Sequence, residues 1–196
     1  MHSAPLSFAE QKLNELNDQN FISLVDAFNQ ACEAFVDRPA FTCIGQVLSF
    51  TDIEVQSRHF GAFLTGSCGL MKGDRIAVQL PNLNQFPIVV WGALRAGLTV
   101  VNTNPMYTAR EQLHQFKDSG VKAIVILEAF CDKLEHVLSE TQISTIIIAK
   151  FGDLQNVIRR QILNLGAKYL KRAVPEHNLP NTFAFLQTIK GANNYI

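Results

Sequence analysis

Apolar residues recur at helical spacing at Leu24, Ala27, Phe28, Ala31 and Phe35, behind Ser23 as a candidate N-cap. That spacing predicts a first helix. Ala40 to Ile44 and Val47 to Phe50 are two short β-type runs separated by Gly45-Gln46. A two-residue connection with glycine first is what a type II′ hairpin prefers, so a β-hairpin is expected. Thr51-Asp52-Ile53-Glu54 has the form of a capping box, with Phe50 and Val55 placed as its hydrophobic staple. It predicts a helix running to about Leu64, broken by Gly66 and Gly69.

After the turn Lys72-Gly73-Asp74, one theme repeats: an apolar run, then a helical pattern. The runs are Ile76 to Leu80, Leu98 to Val101, Ala123 to Leu127 and Thr145 to Ala149. They are nearly continuously apolar rather than alternating, the mark of strands covered on both faces. Phe86, Val89, Val90, Ala93 and Leu94 form one intervening helix stripe, ended at Gly97. Thr108-Ala109-Arg110-Glu111 is a further capping box, opening a helix that ends at Gly120, and Phe130, Leu134, Val137 and Leu138 form a third stripe. Strand and helix in strict alternation imply right-handed crossovers. The expected fold class is α/β: an open, mostly parallel sheet with helices on both faces, preceded by a β-hairpin.

Beyond the last strand, Leu154, Val157, Ile158, Ile162, Leu165 and Tyr169 share one side of a predicted helix. Arg159, Arg160, Lys168, Lys171 and Arg172 lie elsewhere on it. This reads as a C-terminal basic amphipathic helix spanning Leu154 to Arg172, stopped by Pro175 and Pro180. Its face is either solvated and packed on its own domain, or a surface for a membrane or partner. The division expected is a single α/β domain over 1–196, with 1–20 a polar lead-in and 151–196 a helical extension.

Composition adjusts this picture little. A chain of 196 residues with 47% hydrophobic residues buries about 70% of its unfolded surface and needs no disulfide or metal to hold a core. Charged residues are only 17%, and 17 Lys+Arg balance 17 Asp+Glu. The balance removes the long-range attraction that nucleic-acid binding exploits, so no nucleic-acid partner is expected. Cys32, Cys43, Cys68 and Cys131 are far apart, with no metal-ligand spacing. Free thiols and a start without the charge and apolar runs of a secretory signal fit a reducing cytoplasm.

Chemistry-bearing motifs are sparse. There is no G-x-G-x-x-G after a strand, no G-x-x-x-x-G-K-[ST], no G-x-S-x-G and no H-E-x-x-H. No catalytic residue and no metal ligand is nominated, and His59, His114 and His136 are expected in structural or solvent roles. Ligands of open parallel sheets bind outside the carboxyl ends of the strands. Those ends turn polar here, at Pro81-Asn82 and Asn102-Thr103-Asn104-Pro105. The group Asn102, Asn104, Tyr107 and Thr108 serves either as turn and cap residues or as ligand contacts; both readings stand.

The stretch Gly69-Leu70-Met71-Lys72-Gly73-Asp74-Arg75-Ile76-Ala77-Val78, followed by Leu80-Pro81-Asn82, resembles AMP-forming acyl-CoA synthetases. Gly92-Ala93-Leu94-Arg95-Ala96-Gly97 and Val100-Val101-Asn102-Thr103-Asn104-Pro105-Met106-Tyr107-Thr108 are similar to bacterial long-chain-fatty-acid CoA ligases. Asp118-Ser119-Gly120 extends the likeness, which continues weakly through Lys168 to Arg172 and Val174-Pro175. Met106, Ala109 and Gln112 depart from it, standing where Leu, Pro and Leu are usual in the family.

The resemblance implies a two-step ligase of the adenylate-forming superfamily. A fatty-acid carboxylate attacks ATP, giving an acyl-adenylate and pyrophosphate, and the thiol of CoA then displaces AMP; Mg²⁺ accompanies the ATP. It also implies that the family's phosphate loop and late lysine lie downstream of the matched region. The chain is therefore expected to be the N-terminal subdomain of a larger ligase, inactive alone and binding no cofactor by itself. Its partners would be the rest of the ligase, a fatty-acid substrate, an anionic membrane on its inner face, and a second copy of itself as a homodimer. By resemblance Asn104, Pro105 and Tyr107 fall near the CoA channel. Two alternatives stand beside this: a stand-alone membrane-surface or protein-interaction module on the same scaffold, and an unrelated nucleotide-dependent oxidoreductase, which lacks its glycine fingerprint.

Overall fold

A computed structural model describes residues 22–166 and 175–190. The lead-in over 1–20, and Lys168, Tyr169, Lys171 and Arg172 of the expected basic helix, lie outside the described residues. The elements run α1 (Leu24–Ala34), β1 (Pro39–Cys43), β2 (Gln46–Ser49), α2 (Phe50–Gly66), β3 (Arg75–Gln79), α3 (Gln85–Arg95) and β4 (Thr99–Asn102). They continue α4 (Ala109–Ser119), β5 (Ala123–Leu127), α5 (Cys131–Val137), β6 (Thr145–Ala149), α6 (Val157–Leu165), β7 (Thr182–Ala184) and α7 (Phe185–Thr188). β1 and β2 form the antiparallel hairpin, and the other five strands form one parallel sheet in the order β4-β3-β5-β6-β7.

Side-chain alternation along buried strands divides the core in two. Ile76, Val78, Val125, Leu127 and Ile147 point to one face, beneath Phe28, Ile53, Phe60, Leu64 and Ile88 of α1, α2 and α3. Ala77, Ile124, Ile126, Ile146 and Ile148 point to the other, beneath Phe116 of α4 and Leu134 and Val137 of α5. Every residue of β5 and β6 is buried, which is why those strands read as unbroken apolar runs.

α2 and α3 cross at a glycine pair. A Cβ on Gly61 would lie 2.9 Å from the Gly92 carbonyl oxygen, and one on Gly92 would lie 2.6 Å from Phe60 Cδ1 and 2.8 Å from the Ser57 carbonyl oxygen. Only hydrogen at both positions lets the backbones approach this closely. Beside the crossing, Arg95 reaches the Ser57 hydroxyl at 3.0 Å and Glu54 at 3.6 Å, and lies over the Phe28 ring, which stacks on Trp91.

Several local expectations shift. The hairpin turn is Ile44-Gly45, not Gly45-Gln46, because Cys43 pairs with Gln46. Both turn residues have positive φ, 49° and 72°, as a type I′ turn demands rather than II′. The α2 capping box belongs to Ser49 and Asp52 rather than to Thr51 and Glu54: Ser49 Oγ accepts from Asp52 N at 3.1 Å, and Ser49 N donates to the Asp52 carboxylate at 2.8 Å. Thr51 Oγ1 instead donates to the Val36 carbonyl at 2.7 Å, and Glu54 pairs with Arg58. With the cap moved, Leu48 and Ile53 take the staple positions and both are buried, whereas Val55 is exposed.

The largest correction concerns the C-terminal extension. α6 starts at Val157 on an Asn156 cap, not at Leu154, and Thr182–Ala184 is a fifth parallel strand pairing with β6. Phe185 then inserts fully into the core beside Phe60. The extension is therefore part of the sheet and not a purely helical appendage.

Candidate functional site

The carboxyl edge of the sheet gathers the polar residues, in two clusters. The first is the β4–α4 connection. Asn104 Oδ1 accepts from Met106 N at 2.9 Å, and the Asn104 carbonyl accepts from Tyr107 N at 3.1 Å and from Gln79 Nε2 at 3.4 Å. An asparagine closing the turn two residues on is an Asx turn, so its side-chain oxygen is spent locally. Thr108 then caps α4 through the predicted box: its hydroxyl accepts from Glu111 N and its N–H donates to the Glu111 carboxylate at 2.8 Å. These bonds from Thr108 hold the Glu111 carboxyl below the usual carboxylate range. Lys133 Nζ binds the Tyr107 carbonyl at 3.1 Å, tying the connection to α5.

Asn104, Pro105 and Tyr107 thus share one turn, but they do not share one cavity. Tyr107 lines a groove along α4 with Arg110, Glu111, His114, Gln115 and Asp118. The cap and turn reading accounts for the hydrogen bonds of the Asn104 and Thr108 side chains.

The second cluster was not legible as a site from the sequence. Glu128 directly follows β5 and Lys150 directly follows β6, and parallel pairing of these strands brings them to 3.0 Å. Gln85 Nε2, at the start of α3, donates to the Lys150 carbonyl at 2.8 Å. Asp153 Oδ2 accepts from Lys150 N at 2.7 Å. Burial pushes the Asp153 carboxyl up to about 6, against the lowering pull of that hydrogen bond and of Lys150 and Arg160. A cavity of about 610 Å³ opens here, lined by Glu128, Lys150, Arg160, Gln161, Ile162, Asn164 and Leu165. Its only advance signal was a charged residue standing immediately after each apolar run.

Nucleophilic chemistry has no support in the thiols. All four cysteines are free, and burial pushes Cys68 up to about 11 and Cys131 up to about 12, which keeps both protonated. His59 Nδ1 lies 3.1 Å from the Ile189 carbonyl, a latch between α2 and the C-terminal segment, in keeping with the structural role expected of it.

A parallel sheet covered on both faces, with its polar residues collected at the carboxyl edge, defines the class of α/β proteins that bind ligands along that edge. Within that class, the sequence profile of AMP-binding enzymes matches residues 28–187, and the chain belongs to that family. It is 43% identical over 171 residues to a long-chain-fatty-acid–CoA ligase of Escherichia coli O6:H1, covering 87% of this chain and 30% of that one. The corresponding Haemophilus influenzae ligase is 40% identical over 174 residues, covering 89% and 31%. The chain therefore spans about 30% of the length of these relatives.

Solved structures with the same fold include a long-chain-fatty-acid-CoA ligase from Archaeoglobus fulgidus, with TM-score 0.61 and 23% identity over 66% of this chain and 27% of that one. A luciferase-like enzyme from the mealworm Zophobas morio matches with TM-score 0.67 and 16% identity, covering 89% and 36%.

The residues described do not by themselves fit a divalent cation of the kind that accompanies ATP. No three or more His, Cys, Asp or Glu converge among the described residues, and the edge carboxylates Glu128 and Asp153 are already engaged with Lys150.

Proposed function

We propose that the chain is the scaffold portion of an AMP-forming long-chain-fatty-acid CoA ligase. The observation that carries this reading is its 43% identity to the E. coli ligase over 87% of its own length while spanning only 30% of the relative. The family's reactive groups then belong to the remaining part of such an enzyme. In the reaction so assigned, a fatty-acid carboxylate oxygen attacks the α-phosphorus of ATP and pyrophosphate leaves. The thiol sulfur of CoA next attacks the acyl carbonyl carbon, and AMP departs.

This chain's contribution is positional. The two-sided sheet presents a rigid carboxyl edge, and the Asn104–Tyr107 turn, locked by its own hydrogen bonds, stands at the CoA side in this reading. Asn104 is exposed, with its amide nitrogen left as a donor, and Pro105 and the Tyr107 ring are half-buried beside it. An amide donor, a proline and an aromatic ring suit the uncharged, amide-bearing arm of CoA rather than its phosphates. Four free thiols support a reducing, cytoplasmic setting.

The test is a chimera in which this chain replaces the matching third of the E. coli ligase. It is expected to form palmitoyl-CoA from palmitate, ATP and CoA. A folded chimera without that activity would overturn the assignment.

A further inference from the structure

Three backbone carbonyls of the β4–α4 connection are each met by a side chain from a different element. Gln115 of α4 donates to the Asn102 carbonyl at 3.1 Å, Gln79 of β3 to that of Asn104 at 3.4 Å, and Lys133 of α5 to that of Tyr107 at 3.1 Å. The internal bonds of the turn, from Met106 N to Asn104 Oδ1 and from Tyr107 N to the Asn104 carbonyl, set its shape. They do not set its place. Between Asn104 and Tyr107, the hydrogen bonds that reach other elements are those from Gln79 and Lys133.

Lys133 is the charged member of that pair, and its charge is used differently from that of other lysines. Lys117, Lys122 and Lys150 each hold a carboxylate at 3.0 Å or less, whereas Lys133 holds none among the described residues. Lys133 is half-buried, and its ammonium lies 5.7 Å from the centre of the Phe130 ring and gives its hydrogen bond to an uncharged carbonyl. Its charge is felt at the Glu111 carboxylate, but Thr108 already takes up that group. A hydrogen bond with a charged donor is roughly twice as strong as a neutral one. A flexible four-carbon stem is ordered only where a contact holds it, and the Tyr107 carbonyl is that contact.

We infer that Lys133 is a positioning residue for the thioester-forming step. By holding the Tyr107 carbonyl it keeps the Asn104–Tyr107 turn in the place where that turn receives CoA, acting through the turn rather than by contact with CoA. The inference rests on the ligase reading and on the turn standing at the CoA side. Adenylate formation precedes the arrival of CoA, so it does not depend on the tether. A stiffer turn can stand in for a tethered one, and the backbone allows it at Ala109, the first residue of α4. Thr108 before it is extended, with φ −70° and ψ 162°, the conformation that a following proline requires. Proline at a first helical position removes no helical hydrogen bond and fixes φ.

Two measurements test it. In the 196-residue chain, Lys133→Met is expected to speed hydrogen exchange at the Met106, Tyr107 and Thr108 amides about tenfold. The melting temperature is expected to fall by less than about 4 °C, and Lys133→Arg to return exchange to within about threefold of the parent. Unchanged exchange would overturn the inference. In the chimera with the E. coli ligase, Lys133→Met is expected to raise KM for CoA about tenfold, while kcat at saturating CoA and ATP–pyrophosphate exchange change less than about twofold. Lys133→Arg, and Ala109→Pro added to Lys133→Met, are each expected to bring that KM back to within about threefold of the parent. Lys133→Gln, too short to reach the carbonyl, serves in place of Lys133→Met if that chain fails to melt cooperatively. An unchanged KM for CoA, or an equal loss in both half-reactions, would overturn the inference and leave the ligase reading standing. A folded chimera that is inactive with Lys133 intact would overturn the ligase reading and this inference with it.

Discussion

α2 and α6 are both amphipathic helices, and they use their apolar sides in opposite ways. α2 places Ile53, Phe60 and Leu64 at zero exposure and packs through a glycine contact onto α3. α6 buries none of its residues completely and turns Ile158, Ile162 and Leu165 to solvent. The contrast shows that hydrophobic periodicity tells where a helix has an apolar side, and that only packing tells what the side is for. In α2 it supplies cohesion; in α6 it adds little to the fold.

Substitutions along the two helices sharpen the contrast. Phe60→Ala removes a fully buried ring that packs against Phe185 and is expected to cost about 3–5 kcal/mol in urea unfolding. Gly92→Ala forces a Cβ against Phe60 and the Ser57 carbonyl, and is expected to cost about 3 kcal/mol as overpacking against backbone. A cost below about 0.5 kcal/mol for either would mean that the crossing is looser than described.

Beneath α6 the interaction is electrostatic. Asp153 is buried, and that burial pushes its carboxyl up to about 6, above the ordinary carboxylate range. A raised folded pKa means that the native state binds the proton more tightly, so this group's contribution to stability improves as pH falls from about 6 toward 4. Asp153→Asn is expected to stabilise at pH 7 by on the order of 2 kcal/mol and to have almost no effect near pH 4. Chemical denaturation of both proteins at the two pH values checks this, and a gain that persists at pH 4 would contradict it.

Thr108→Ala supplies a yardstick between the two helices. Loss of the α4 cap is expected to cost about 1 kcal/mol, read as a shift in denaturation midpoint. Smallest of all, Ile162→Ser on the exposed ridge is expected to leave stability within about 0.5 kcal/mol. A cost like that of Phe60→Ala would show that α6 packs inward after all.

Much of the sheet was legible because parallel strands covered on both faces leave unbroken apolar runs; Ala123–Leu127 and Thr145–Ala149 were placed to the residue. The Ser23 and Thr108 caps were equally plain, their partners lying three residues away. β7 is not legible in the sequence because three residues, Thr182-Phe183-Ala184, carry no periodicity and are fixed only by pairing with β6. The position of the hairpin turn is hidden in the sequence because Ile44 adopts a conformation against its own preference. Ser49 does not read as a cap in the sequence because it also closes a strand.

At the carboxyl edge, the Asn104 turn was visible as turn chemistry. The Glu128–Lys150–Asp153 cluster was not, since strands β5 and β6 bring it together across intervening residues. The outward ridge of α6 was invisible for a simpler reason: the same stripe would be written by a helix facing in.

The central claim is that these residues build a scaffold whose reaction centre lies in the rest of the enzyme. Its most direct test is ATP–pyrophosphate exchange by the 196-residue chain alone, with a long-chain fatty acid, ATP, Mg²⁺ and labelled pyrophosphate. The account predicts exchange no faster than in a protein-free control. Exchange that depends on the fatty acid and rises in proportion to chain concentration would contradict it.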